Sequence, residues 1–250
     1  MPLSLSAGRS MPEGDSLHRA AERMQPLVGD VLTVEARHPR AAALGIAPRL
    51  DGRRLERVEA VGKNLLLTFD GDLVLRSHLR MKGRWHVRDS AEAISGLPWL
   101  VLRGEQHQAI LWHGPVLELG RHAVAGLGPD IMAGSPDYSA MVMRLRQTDQ
   151  RRALGEAILD QRLIAGVGNM WRAEALFNAG VSPWRALCDL TDDELSSVVR
   201  AAHELMTGGR VRRAVHRRAG LPCGRCGVLI RSRPQGDGAR TSYWCPQCQS

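Results

Sequence analysis

No apolar run in this 250-residue chain approaches the roughly 20 residues needed to cross a bilayer as a helix. The first ten residues, MPLSLSAGRS, hold no apolar core of the kind a secretory signal requires. Aromatic residues make up only 4% of the chain, so aliphatic side chains must fill most of any core. Cysteine is scarce and odd in number, five in all, with four grouped near the C-terminus, which argues against a disulfide framework. A reducing, cytoplasmic setting and a metal site are expected instead. Acidic residues are also in deficit. There are 26 against 34 basic ones, giving a formal charge of +8 and a pI near 10.0.

What is present fits a folded, polyanion-binding protein. The apolar fraction of 44% is enough for a proper core. The basic excess is concentrated late: from Arg200 to Arg240 ten Arg oppose two acids, Glu204 and Asp237. Such a stripe suits nucleic acid, the alternative being a solvated Arg-rich face.

Three regions follow from the patterning. The first, residues 11–131, opens with an amphipathic helix from Gly14 to about Leu27, with Asp15 or Ser16 as its N-cap. Strand-like stretches follow: LTVEARHP, RRLERVEAVG, NLLLTFDGDLVLRSHL, RWHV and WLVLRGEQHQAILWHG. FDGDL reads as a hairpin turn. This predicts a β-rich domain, sandwich or barrel, behind a leading helix. After a Gly/Pro/Asp-rich linker at Leu127–Asp137, residues 139–209 are helical, and Thr191 with Glu194 forms a capping box. Residues 221–250 form a small module. The class is α+β, and a monomer is expected.

Cys223, Cys226, Cys245 and Cys248 form a C-x2-C, x18, C-x2-C arrangement. Two such pairs supply four thiolates in a tetrahedron, the preference of structural Zn²⁺. The set is closed, so one zinc ion folds the module and does no chemistry. A disulfide pair or an iron–sulfur cluster is the alternative. Cys188 lies outside the pattern and is expected to be a buried bystander. Arg231, Arg233 and Arg240 lie between the pairs; Arg240, just before TSYW, is placed to hold a phosphate by two hydrogen bonds. Upstream, Gly166-Val167-Gly168-Asn169 joins two helical stretches, with Asn169 at the expected N-cap. A helix start of that kind is an anion site or a plain helical corner.

Taken together, these residues resemble the bacterial formamidopyrimidine-DNA glycosylase and endonuclease VIII family. The likeness runs from Met11 to the C-terminus. It includes PEGD at 12–15, VGKNLL around Lys63, SHLRMKGRW, GPD at 128–130, GVGN and the four-Cys ribbon, in the family's order. PEGD looks more like the endonuclease VIII branch, whose usual substrates are oxidised pyrimidines.

The resemblance implies an N-terminal helix plus β-sandwich domain, a helix–two-turn–helix domain and a C-terminal zinc ribbon, with damaged DNA between two lobes. It implies a bifunctional enzyme that removes a base and then cuts the strand. Pro12 matches the family's N-terminal amine nucleophile. Glu13 matches its general acid/base, and Lys63 its phosphate-contacting strand lysine that assists β-elimination. Arg240 matches the ribbon arginine tied to δ-elimination. Met81, flanked by Arg80 and Lys82, matches the void-filling wedge, and Asn169 a DNA contact. The Arg and Phe that the formamidopyrimidine branch adds to the wedge have no counterpart in HGPVLELGRH, which counts against an oxidised-purine glycosylase.

A peptide-bonded proline nitrogen has its lone pair in the amide and cannot attack. Residues 1–10 are therefore expected to be an upstream extension, with translation starting at Met11. A chain that keeps them is expected to be a catalytically impaired DNA-binding relative.

Overall fold

The computed structural model describes residues 14–80, 82–114, 116–120, 126–208 and 212–250. Pro12, Glu13 and Met81 lie outside the described residues. The chain divides into two compact units, Met1–Ala123 and Val124–Ser250.

In the first unit, helix α1 (Gly14–Met24) buries Leu17, Ala20, Ala21 and Met24, spaced to share one face. Its expected last turn is instead a 3-10 turn, Gln25–Leu27, because Pro26 has no N–H to continue the α ladder. Strand β1 (Val31–Glu35) leads through short helices α2 (Pro39–Ala42) and α3 (Ala47–Leu50) to β2 (Arg53–Val61). Then come β3 (Asn64–Phe69), β4 (Leu73–His78), β5 (Arg84–Asp89), β6 (Leu100–Arg103), β7 (His107–Trp112) and β8 (Val116–Gly120). The antiparallel order is β5-β7-β6-β1-β2-β3-β4-β8.

β1 changes partner midway. Val31 and Leu32 pair with Arg54 and Arg53 of β2, whereas Thr33, Val34 and Glu35 pair with β6. One strand thus serves two layers, and the layers close on a single core. Leu55, Leu65, Leu67 and Leu75 come from one side of that core, Leu100, Leu102 and Leu111 from the other. This is the expected sandwich, filled mainly by leucine.

In the second unit, α4 (Tyr138–Gln147) is capped by Asp137, whose carboxylate accepts the Ala140 N–H at 2.9 Å. Helices α5 (Leu154–Ala157), α6 (Asn169–Ala179) and α7 (Asp192–Thr207) follow. Thr191 and Glu194 form the expected capping box on α7. Leu154, Ile158, Leu176, Leu195 and Val198 share the core. The unit ends in a hairpin, β9 (Arg231–Gln235) and β10 (Arg240–Trp244).

Cys188 is exposed, contrary to the expectation of burial. It sits on a 3-10 turn in which Leu187 and Leu190, three residues apart, take the inward positions. Among the described residues no helix is long and apolar enough to cross a membrane.

Candidate functional site

Lys63 lies in the two-residue turn between β2 and β3, where Val61 pairs with Asn64. Gly62 takes a φ of +58°, which favours glycine at the first turn position. Buried Asn64 then braces the turn. Its Nδ2 donates to the Val61 carbonyl at 3.3 Å, and its Oδ1 accepts from Arg76 Nε at 2.9 Å. Arg76 Nη1 in turn donates to Glu118 Oε2 at 2.6 Å. A continuous polar chain across β2, β3, β4 and β8 therefore fixes the loop that carries Lys63.

β4 ends at His78, and the loop after it holds Arg80, exposed and at a φ of +46°. The Arg80 N–H donates to His78 Nδ1 at 3.0 Å, which leaves the ring proton on Nε2. Burial, then the charges of Lys63, Arg76 and Arg80, lower the pKa of His78 and keep it neutral near pH 7. Lys63 and Arg80 are thus brought to one basic cluster around His78. The loop closes through the Gly83 N–H on the Leu79 carbonyl at 2.9 Å. A Cβ on Gly83 would lie 2.6 Å from that same oxygen, so glycine is required.

In the second unit, Gln161 shapes the glycine turn. Its Nε2 donates to the Leu159 and Val167 carbonyls at 2.9 and 3.1 Å, and its Oε1 accepts the Gly166 N–H at 3.0 Å. Gly168, extended, is the N-cap of α6, so Asn169 is the first helical residue and not the cap. The backbone decides it: Gly168 is extended, with φ −111° and ψ −177°, so the helical turn begins one residue later. Asn169 Nδ2 reaches across to the Thr241 carbonyl on β10 at 3.0 Å.

Arg172, one turn later and fully buried, donates to the same carbonyl through Nη2 at 2.9 Å. Its Nη1 donates to the Gly155 carbonyl at 2.9 Å and to Gln235 Oε1 at 3.3 Å. Exposed Arg240 immediately precedes Thr241. Asn169 is therefore bonded to the residue that follows Arg240, which places two of the residues singled out from the sequence on neighbouring backbone. The carboxylate of Glu174 accepts the N–H groups of Ala214, Val215 and His216 at 2.7, 3.1 and 2.8 Å, fastening the segment that enters the ribbon. Arg231 and Arg233 are exposed, and Arg233 stacks over Trp184 at 3.9 Å.

Arg172 and Glu174 escaped the sequence reading. The available signal was a pair of opposite charges inside an otherwise apolar helix, NMWRAEALFNA. Charges buried in such a setting must find partners.

The four cysteine sulfurs lie within 4.8 Å of one another. Cys223 and Cys248 are 3.9 Å apart, Cys226 and Cys245 3.4 Å. A tetrahedral site with metal–sulfur bonds of about 2.3 Å separates its sulfurs by about 3.8 Å, so the set fits one metal ion. Burial raises the Cys223 thiol, but the N–H groups of Arg225 and Cys226 and the neighbouring thiols outweigh it and bring it to about 7. The Cys226 thiol, then burial, push Cys248 up to about 12. A bound cation replaces those shared protons, so metal affinity falls as pH falls.

The family model for the formamidopyrimidine-DNA glycosylase N-terminal domain matches residues 11–113, and that for the formamidopyrimidine-DNA glycosylase H2TH domain matches residues 127–217. A probable endonuclease 8 2 of Streptomyces coelicolor is 38% identical over 96% of this chain and 94% of its own length. The DNA-(apurinic or apyrimidinic site) lyase Nei2 of Mycolicibacterium smegmatis is 34% identical, over 96% of this chain and 99% of its own. The crystal structure of Lactococcus lactis Fpg (MutM) with DNA containing N7-benzyl-Fapy-dG superposes with a TM-score of 0.79. It covers 96% of this chain and 100% of that one at 22% identity, a likeness of fold. The chain belongs to the formamidopyrimidine-DNA glycosylase and endonuclease VIII family, on its endonuclease VIII branch.

Proposed function

We propose that this protein is a bifunctional DNA glycosylase and abasic-site lyase of base excision repair, acting on oxidised pyrimidines. The observation that carries the reading is the shared anchoring of Asn169 and Arg172 on the Thr241 carbonyl. That bond pair makes the start of α6 and the strand bearing Arg240 one rigid edge, suited to successive phosphates of a DNA backbone.

In this reading residues 11–131 are the catalytic β-sandwich domain, 139–209 the helix–two-turn–helix domain, and 221–250 a ribbon closed by one zinc ion. Four thiolates are the donor set Zn²⁺ prefers, and with no open position the ion supplies folding energy alone. Free thiols and a DNA substrate suit a cytoplasmic, nucleoid-associated protein.

The chemistry requires a free Pro12 amine. Its lone pair attacks C1′ of the damaged nucleotide, and the base leaves with the electrons of the glycosidic bond. Glu13 delivers a proton to the sugar ring oxygen as the ring opens to an iminium. Loss of a C2′ proton then expels the 3′ phosphate, with Lys63 holding phosphate and aiding this β-elimination. Arg240 holds the phosphate for the δ step by a two-pronged contact. The base must leave the stack first, and Met81 fills the space while Arg80 and Asn169 hold the backbone.

The test is borohydride trapping on an abasic-site duplex with protein starting at Met11. An adduct mapped to Pro12, with base release from duplexes carrying an oxidised pyrimidine, is expected. A folded, DNA-binding protein that forms no adduct would overturn the reading. Faster release of an oxidised purine would overturn the substrate assignment.

A further inference from the structure

We propose that the first cysteine knuckle of the ribbon is a docking surface for a partner protein. The segment it takes is short and acidic, with leucine-like side chains set among aspartates or glutamates. The surface consists of Leu221, Pro222, Val228 and Leu229, rimmed by Arg218, Arg225 and Arg231. It takes no part in the chemistry proposed above.

The knuckle is a miniature antiparallel pair. Pro222 faces Leu229 in a β-bridge, with the Ile230 N–H on the Leu221 carbonyl and the Cys223 N–H on the Val228 carbonyl, both at 2.9 Å. Side chains alternate across such a pair. One face carries Cys223 and Ile230, buried in a small core with Phe177 and Val215. The other carries Pro222 and Leu229, both exposed. Leu221 and Val228 stand at the edges. Leu229 is 57% exposed, Leu221 50% and Val228 40%. Among the described residues seven large apolar side chains are exposed, and these three fall between positions 221 and 229. A single exposed leucine needs no explanation, but adjacent ones rimmed by charge mark an interaction site.

The rim decides the chemistry of the partner. Between Glu204 and Asp237 the chain holds eight arginines and no acid. Arg218 Nη2 donates to the Pro222 carbonyl at 3.2 Å, which lays a guanidinium at the edge of the patch. Arg225, in the turn between Cys223 and Cys226, donates to the Phe177 carbonyl at 2.9 Å and stacks on that ring at 4.1 Å. These partners are neutral, so they do not offset the positive charge. Exposed Arg231 follows Ile230. Carboxylates complement that rim, and apolar side chains complement its centre.

DNA fits the patch less well. It offers phosphates to the arginines but a polar backbone to four apolar side chains. The patch also lies at the far end of the hairpin from Arg240. Arg231 pairs with Trp244 and Gln235 with Arg240, so the length of β9 separates the two ends. That length is roughly 13 Å at about 3.3 Å per residue. A second copy of this chain fits poorly too, since a two-fold contact lays one arginine rim on the other.

The experiment is selection of a random dodecapeptide display library on the zinc-loaded full chain, with saturating undamaged duplex DNA present. Enriched peptides are synthesised and their affinities measured by fluorescence anisotropy. They are expected to combine leucine, isoleucine or phenylalanine with aspartate or glutamate. Leu229→Ser should weaken their binding at least tenfold and Arg231→Gln severalfold. Leu229→Ser should keep its metal content, melting temperature and DNA affinity. Serine in place of the apolar residues of the peptide, its charge kept, should also cost at least tenfold. No shared pattern, a basic pattern, or equal binding to Leu229→Ser and the parent would overturn the proposal. A tenfold loss of DNA affinity in Leu229→Ser, its metal intact, would overturn it in favour of DNA. A dimer in sedimentation that Leu229→Ser abolishes would overturn it in favour of a second copy.

Discussion

Asn169 and Thr241 are joined by a hydrogen bond of 3.0 Å from the side-chain amide of one to the main-chain carbonyl of the other. The two residues lie 72 positions apart, at the start of a helix and inside the metal ribbon. With Arg172 donating to the same oxygen, the ribbon is built into its unit and does not hang from it as a loose finger.

Arg172→Met should therefore destabilise the protein by about 3 kcal/mol, because it leaves buried carbonyls without their donor. Thermal unfolding should shift down on the order of 10 °C. Arg172→Lys, which keeps the charge but not the planar fork, should recover part of the loss. An unchanged melting temperature in Arg172→Met would show that the buried guanidinium does not hold the ribbon.

Metal removal should unfold the ribbon and release Arg240 from its fixed strand. Losing one charge-assisted phosphate contact of about 1.5–3 kcal/mol weakens DNA binding roughly 10- to 100-fold. Titration of DNA with chelator-treated protein, its metal content verified, is the measurement. Full affinity after proven metal loss would sink the claim. Recovery should be greatest with Zn²⁺.

Glu13→Gln in the Met11-start protein removes the proton donor beside the nucleophile. Base release should fall about 10²- to 10⁴-fold while DNA affinity stays within a few-fold. Single-turnover kinetics on a lesion duplex separates the two, and unchanged release would take Glu13 out of its assigned role.

Stability should decline in acid partly through His216. Burial, then the charges of Arg213, Arg217 and Arg172, hold its pKa at about 4, against 6.5 for an ordinary histidine. The unfolded chain takes up the proton first, so the stability from this group is complete above pH 6.5 and is lost as pH falls toward 4. His216→Phe keeps an aromatic edge on Tyr243, 5.2 Å away, and cannot titrate. Urea midpoints at pH 7 and pH 4.5 should lie closer together in this variant than in the parent. An equal gap in both would remove His216 as a cause.

Features that depend on short spacing are legible in the order of residues alone. Cysteine pairs with two residues between them, repeated once, specify a four-sulfur site, and those four sulfurs do converge. The Thr191–Glu194 capping box and the turn in FDGDL are likewise written in three or four consecutive residues, since the groups that satisfy one another are neighbours in the chain. The leading helix and the β-rich domain behind it followed from the periodicity of apolar residues. Tertiary structure decided what depends on distant partners. No local pattern shows that β1 divides itself between β2 and β6. None shows that Asn169 turns from its own helix to Thr241, that Arg172 belongs inside the fold, or that Cys188 faces out while Leu187 faces in. A buried polar group takes the best partner the folded chain brings to it, and that partner can lie any distance away in sequence.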